Sequence, residues 1–311
     1  MELNSEREIN VSDTSEYKQF SIELDYYIDF FQSLSELFFY NGRLVSFMVG
    51  NRSYILDTSL IDSSVQTLKS IKLCCSIGSF SDANTLVRKL RDDLVLYVFI
   101  LNIINNRKPF IEEDLEKISF ENAEKFSEAF LNVRLNSVLT EDEQAVEAWL
   151  NNTVSELARP IKKKLEFGNY MTVLKQNNNI SQILTDYKLQ DYWEKLRVRL
   201  NNYVHNNGKH FTLQNFILHN DKTVKIHLEN INIWTSYISS FFLVLLLMVE
   251  SSLISSTDLI DHLDCNIKPP DDCQYFVAPF VQEFIDKKVS QLHPELKQYL
   301  IDNNINGMKI E

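Results

Sequence analysis

The stretch Ile231-Asn-Ile-Trp-Thr-Ser-Tyr-Ile-Ser-Ser-Phe-Phe-Leu-Val-Leu-Leu-Leu-Met-Val249 decides the fold, because it runs without a single charge. A membrane span takes about 20 such residues. Against a span, Asn232, Thr235, Ser236, Ser239 and Ser240 interrupt the run, and acids follow at Glu250 and Asp258. Basic residues do not cluster at either end as positive-inside flanks do. A helix apolar on every side is also what the centre of a large helical domain requires. The stretch is therefore expected to be a central core helix, with no membrane partner.

The rest of the chain fits that reading. Its 311 residues are 44% apolar, 24% charged and 12% aromatic, a globular composition. Gly and Pro number only 6 each. Sheets with many tight turns consume Gly at positive φ, so the scarcity favours long helices and few connections. The expected fold is all-α, a multi-helix bundle around a central hydrophobic helix. Apolar spacing predicts helices over Ser21–Tyr40, Ile61–Ile77, Ala83–Asn105, Glu121–Asn132, Met171–Lys175, Ile180–Tyr187 and Leu189–Val204. Thr140-Glu-Asp-Glu143 has capping-box spacing and opens a further helix to about Ala158. Val45–Leu56 fits either a small β-hairpin or a broken helix. Residues 1–20 read as a polar tail, 21–266 as the helical domain, and 267–311 as a C-terminal helical extension packed on it.

Met1–Gln19 has no apolar run behind a basic start, so no signal peptide is expected and the location read from sequence is cytoplasmic. Cys74, Cys75, Cys265 and Cys273 lack paired ligand spacing and read as reduced thiols. The histidines are His205, His210, His219, His227, His262 and His293; His205 and His210 are split by a break at Gly208, and no acid near that pair has ligand spacing. Neither a metal nor an organic cofactor is expected. Phosphate-cradling, dinucleotide, zinc-protease and nucleophile-elbow motifs are all missing, which makes kinases, dehydrogenases and ATPases poor candidates.

The net charge is −12, yet residues 159–209 hold ten basic side chains against four acidic ones, a local +6 that leaves −18 elsewhere. Inside this window Arg199 and His205 lie on one helix and its end. An imidazole can take a proton from a ribose 2′-hydroxyl or give one to a leaving 5′-oxygen. A guanidinium can hold the phosphate and stabilise charge on its oxygens. Asn201, Asn202 and Asn206 can orient the ring or bind phosphate. Six helical positions advance about 600°, so the two side chains point roughly 120° apart. They converge only if the helix unwinds near His205 or a two-fold partner supplies half the site. The other reading is a helix C-terminus closed by His205 and Gly208, with Arg199 as a surface residue.

Arg199-Leu-Asn-Asn-Tyr-Val-His-Asn-Asn-Gly208 resembles the Arg-(four to six residues)-His motif of the HEPN superfamily. That resemblance implies a helical protein of toxin–antitoxin, abortive-infection or other antiviral defence systems. It further implies a metal-independent endoribonuclease, working as a homodimer with the motif at the two-fold axis. Arg199 and His205 would then be the catalytic pair, and Lys162, Lys163, Lys164, Lys195, Arg197 and Lys209 the RNA track. The chain departs from the pattern in having Leu200 where a polar residue usually follows the Arg; Asn201 is the candidate to take that place. Ser81–Asp93 resembles a helix of uncharacterised HEPN-like proteins, and the likeness extends loosely over Ile61–Met248. Arg88, Arg91 and Asp92 on that helix either line the same cleft or form an internal salt-bridge ladder. The alternative function is an inactive scaffold or partner-binding subunit of a defence complex, docking a protein partner or antitoxin through the acidic remainder.

Overall fold

The computed structural model describes residues 10–40, 45–116, 118, 126–127, 130–215, 221–255, 265, 268, 276–292, 294–303 and 308–311. Helix α1 (Ser15–Tyr40) leads into a hairpin of β1 (Val45–Val49) and β2 (Arg52–Leu56). Helices α2 (Ser59–Ser76) and α3 (Phe80–Asn106) follow, and then α4 (Glu141–Leu150), α5 (Phe167–Leu174), α6 (Asn178–Asp186) and α7 (Leu189–Val204). The long α8 (Asp221–Val249) precedes α9 (Pro279–Phe284) and α10 (Pro294–Asn303), and short helical turns fill several of the connections. The fold is all-α, with one two-stranded hairpin among the described residues. The helix expected over 121–132 falls largely outside the described residues, as do His219, His262, His293 and Cys273.

Helix α8 is the central element the sequence predicts. It packs against both α1 and α3, and 83% of its most apolar window is buried. It is also the one helix among the described residues long and apolar enough to cross a membrane. A second central helix accompanies it. Leu94, Val95, Tyr97, Val98, Phe99, Ile100 and Leu101 of α3 are all buried, the last four completely. A run this continuous leaves almost no solvent face on that part of α3. The core is therefore built on two apolar helices packed together rather than on one.

Two boundaries differ from the sequence reading. Helix α1 starts at Ser15, inside the expected polar tail, because Thr14 Oγ1 accepts from the Tyr17 N–H (3.1 Å) and Val11 and Phe20 are buried. Helix α4 stops at Leu150 rather than near Ala158. Asn152 adopts a left-handed conformation (φ 58) and the Thr153 N–H turns back onto the Ala148 carbonyl, which closes the helix. At Val45–Leu56 the hairpin is the alternative that forms, with Phe47, Val49 and Leu56 buried.

After residue 276, α9 packs back on α1 and α10 on α8. Phe284 of α9 stacks on Phe30 at 3.9 Å, and Lys288 pairs with Glu23 at 2.8 Å. A wider helical turn over Ile285–Val289 separates α9 from the helical residues that follow.

Candidate functional site

Leu189, Trp193, Leu196, Leu200 and Tyr203 are buried, so α7 carries a core stripe at helical spacing. Leu200 is fully buried, which explains why no polar residue follows Arg199: a polar side chain there would enter the core. Arg199 stands on the exposed side, with its guanidinium carbon 4.8 Å from the centre of the Trp234 ring on α8. His205 is the exposed C-cap residue, and its backbone N–H donates to the Asn201 carbonyl at 3.1 Å. The helix stays regular through Val204, so it does not unwind before His205. Within one copy the two side chains therefore diverge by roughly 120°.

The asparagines mostly shape the chain break. Asn202 Oδ1 accepts from Asn207 Nδ2 at 3.1 Å, and Asn206 is left-handed (φ 46). Gly208 has φ 148, and a Cβ there would meet the His210 ring at 3.1 Å, so the position needs glycine. Asn201 differs, since its Oδ1 is buried without a hydrogen-bond partner.

Arg88, Arg91 and Asp92 form a ladder on α3. Asp92 accepts from Arg91 Nε at 2.8 Å and lies 3.4 Å from Arg88 Nε. The Arg91 side chain is 1% exposed and lies over the Phe167 ring at 4.0 Å, so it does not line an open cleft. Burial lowers its pKa; Asp92 opposes that shift, while Arg88 and Arg197 add to it. Arg197 thus lies towards α3, whereas Arg199, two positions or about 200° further on, lies over α8. The structure does not bring the α3 arginines and Arg199 together.

Among the other expected RNA contacts, Lys162, Lys163, Lys195 and Lys209 are exposed. Lys164 is paired with Glu141 at 3.3 Å, and Arg197 with Glu194 at 2.8 Å. That hydrogen bond lowers the Glu194 pKa and raises that of Arg197. Sequence reasoning missed Trp234 and Tyr192, which flank Arg199; the signal lay in the aromatic residues on α7 and α8. Among the described residues, no group of three His, Cys, Asp or Glu side chains is arranged to hold a metal ion. The chain matches no protein-family model, no curated protein and no solved structure.

Proposed function

We propose that this chain is a cytoplasmic HEPN-like protein of a prokaryotic defence or toxin–antitoxin system, cleaving RNA without a metal ion as a homodimer. The observation that carries the reading is the exposure of both Arg199 and His205 at one ordered helix end. Because they diverge within a copy, a working site takes Arg199 from one copy and His205 from the other. His205 removes the 2′-hydroxyl proton, the 2′-oxygen attacks phosphorus to form a 2′,3′-cyclic phosphate, and the P–O5′ bond breaks as the 5′-oxygen takes a proton from water. Arg199 stabilises the charge on the phosphate oxygens.

The test uses wild type, Arg199→Ala and His205→Ala on total RNA in the presence of a chelator. Each variant is expected to lose about 100-fold or more in cleavage rate. Mixing the two variants restores part of the activity, because one site of the mixed dimer keeps both residues. Intact RNA with wild type, or variants as active as wild type, sinks the proposal.

A second reading has its own support. Arg199 lies over Trp234, and His205 caps a helix whose C-terminal dipole favours a cation. Both roles are structural, which favours an inactive scaffold or partner-binding subunit. A hetero-complex captured from the native host and unchanged by His205→Ala supports that reading.

A further inference from the structure

A cavity of about 370 Å³ opens between α7, α8 and the C-terminal helices. This lies at the small end of ligand pockets, which span roughly 300–1,000 Å³. Tyr187, Tyr192, Tyr237 and Phe241 supply flat walls. The Tyr237 and Phe241 rings are stacked at 6.0 Å, and Tyr192 lies 4.1 Å from Tyr237. The Tyr237 hydroxyl donates to the Leu189 carbonyl at 3.2 Å, which fixes that wall.

Besides Lys188 and the tyrosine hydroxyls, Ser240 puts a polar side chain in this lining. It is 3% exposed, and its Oγ is buried with no hydrogen-bond partner. The Oγ is closed off from the cavity as it stands, so a ligand pairs with it by turning the side chain inward, which offsets the cost of a buried hydroxyl without a partner. Lys188 at the lining holds a left-handed conformation (φ 53) that a lysine does not favour, and such positions gather at binding sites. Glu295 and Asp186 act electrostatically on the adjoining Tyr187, so the rim near Lys188 carries both signs of charge. The lip is open, with Ile233, Leu292 and Tyr192 partly exposed.

We propose that this cavity binds a small, uncharged aromatic molecule carrying one hydroxyl or carbonyl group, its rings against the tyrosines and its polar group on Ser240. The site is independent of the ribonuclease reading.

The probe is 2-naphthol, titrated calorimetrically into the full chain, with 2-naphthalenesulfonate as the charged comparison. Saturable one-to-one binding is expected, at least tenfold tighter than for the sulfonate. Leu292→Trp, at the half-exposed lip, is expected to block entry, and Ser240→Ala to weaken binding about tenfold. Unchanged thermal unfolding of both variants shows that they fold. Non-saturating uptake, or equal affinity in wild type and Leu292→Trp, overturns the site. Equal affinity in Ser240→Ala overturns the polar contact, and a sulfonate that binds as tightly overturns the ligand class.

Discussion

Arg107 and Arg91 are both buried guanidiniums, and their surroundings differ. Arg107 Nε donates to the Met48 carbonyl at 2.6 Å and Nη2 to the Asn136 carbonyl at 2.7 Å. Its Nη1 donates to Glu143 at 2.9 Å and to the Val138 carbonyl at 3.2 Å. One side chain thus ties the hairpin, the loop before α4 and α4 itself. Arg91 bonds only Asp92, and its buried Nη1 has no partner. Removing Arg107 leaves Glu143 and three carbonyls short of a donor, so Arg107→Ala is expected to cost about 3 kcal/mol or more. Arg107→Lys rescues little, because an ammonium cannot reproduce the planar fork. Arg91→Met is expected to change stability by less than about 1.5 kcal/mol, since Asp92 keeps Arg88 and a desolvated charge is removed. Urea unfolding of the three variants measures this, and equal losses from Arg107→Ala and Arg91→Met would refute the distinction.

At the scale of elements, caps divide into local and tertiary kinds. Thr140 and Glu143 form a complete capping box on α4, and Thr140→Ala is expected to cost about 1 kcal/mol. Asn177 caps α6 by accepting from the Asn179 and Ile180 N–H groups, and its Nδ2 also reaches the Met248 carbonyl at the end of α8. Asn177→Ala is therefore expected to cost nearer ~2 kcal/mol, and Asn177→Ser, which keeps a capping oxygen but not the donor to Met248, to recover about half of it. Thermal unfolding separates them; identical melting of the Ala and Ser variants would count against the capping account. What is legible in the sequence follows the same division. The box at Thr140–Glu143 is local and can be read from spacing, as can the positions of Arg199 and His205. The end of α4 cannot, because Asn152 closes it through backbone geometry that the residue type merely permits. The contact of Arg199 with Trp234 is equally hidden, since the packing of α7 on α8 sets it.

At the scale of the whole molecule, burying two apolar helices brings tyrosines into the core with them. Tyr27, Tyr97, Tyr170 and Tyr237 are buried, and burial is the largest cause raising each of their pKa values. Tyr26, half-buried against Phe284, is raised to about 12 by burial and then by Glu283. An unfolded chain ionises its tyrosines near pH ~10. The folded state holds these phenolic protons more tightly, so their contribution to stability is full below that pH. It is lost as pH rises through the folded values, which for Tyr26 means about 12. Alkaline titration is therefore expected to give tyrosinate absorbance from the buried group in one step, together with loss of helical ellipticity. Tyr97→Phe removes one ionisable group from the centre of α3 and is expected to move that step to higher pH. Complete tyrosine ionisation near pH ~10 with the helices intact would contradict the buried-tyrosine account.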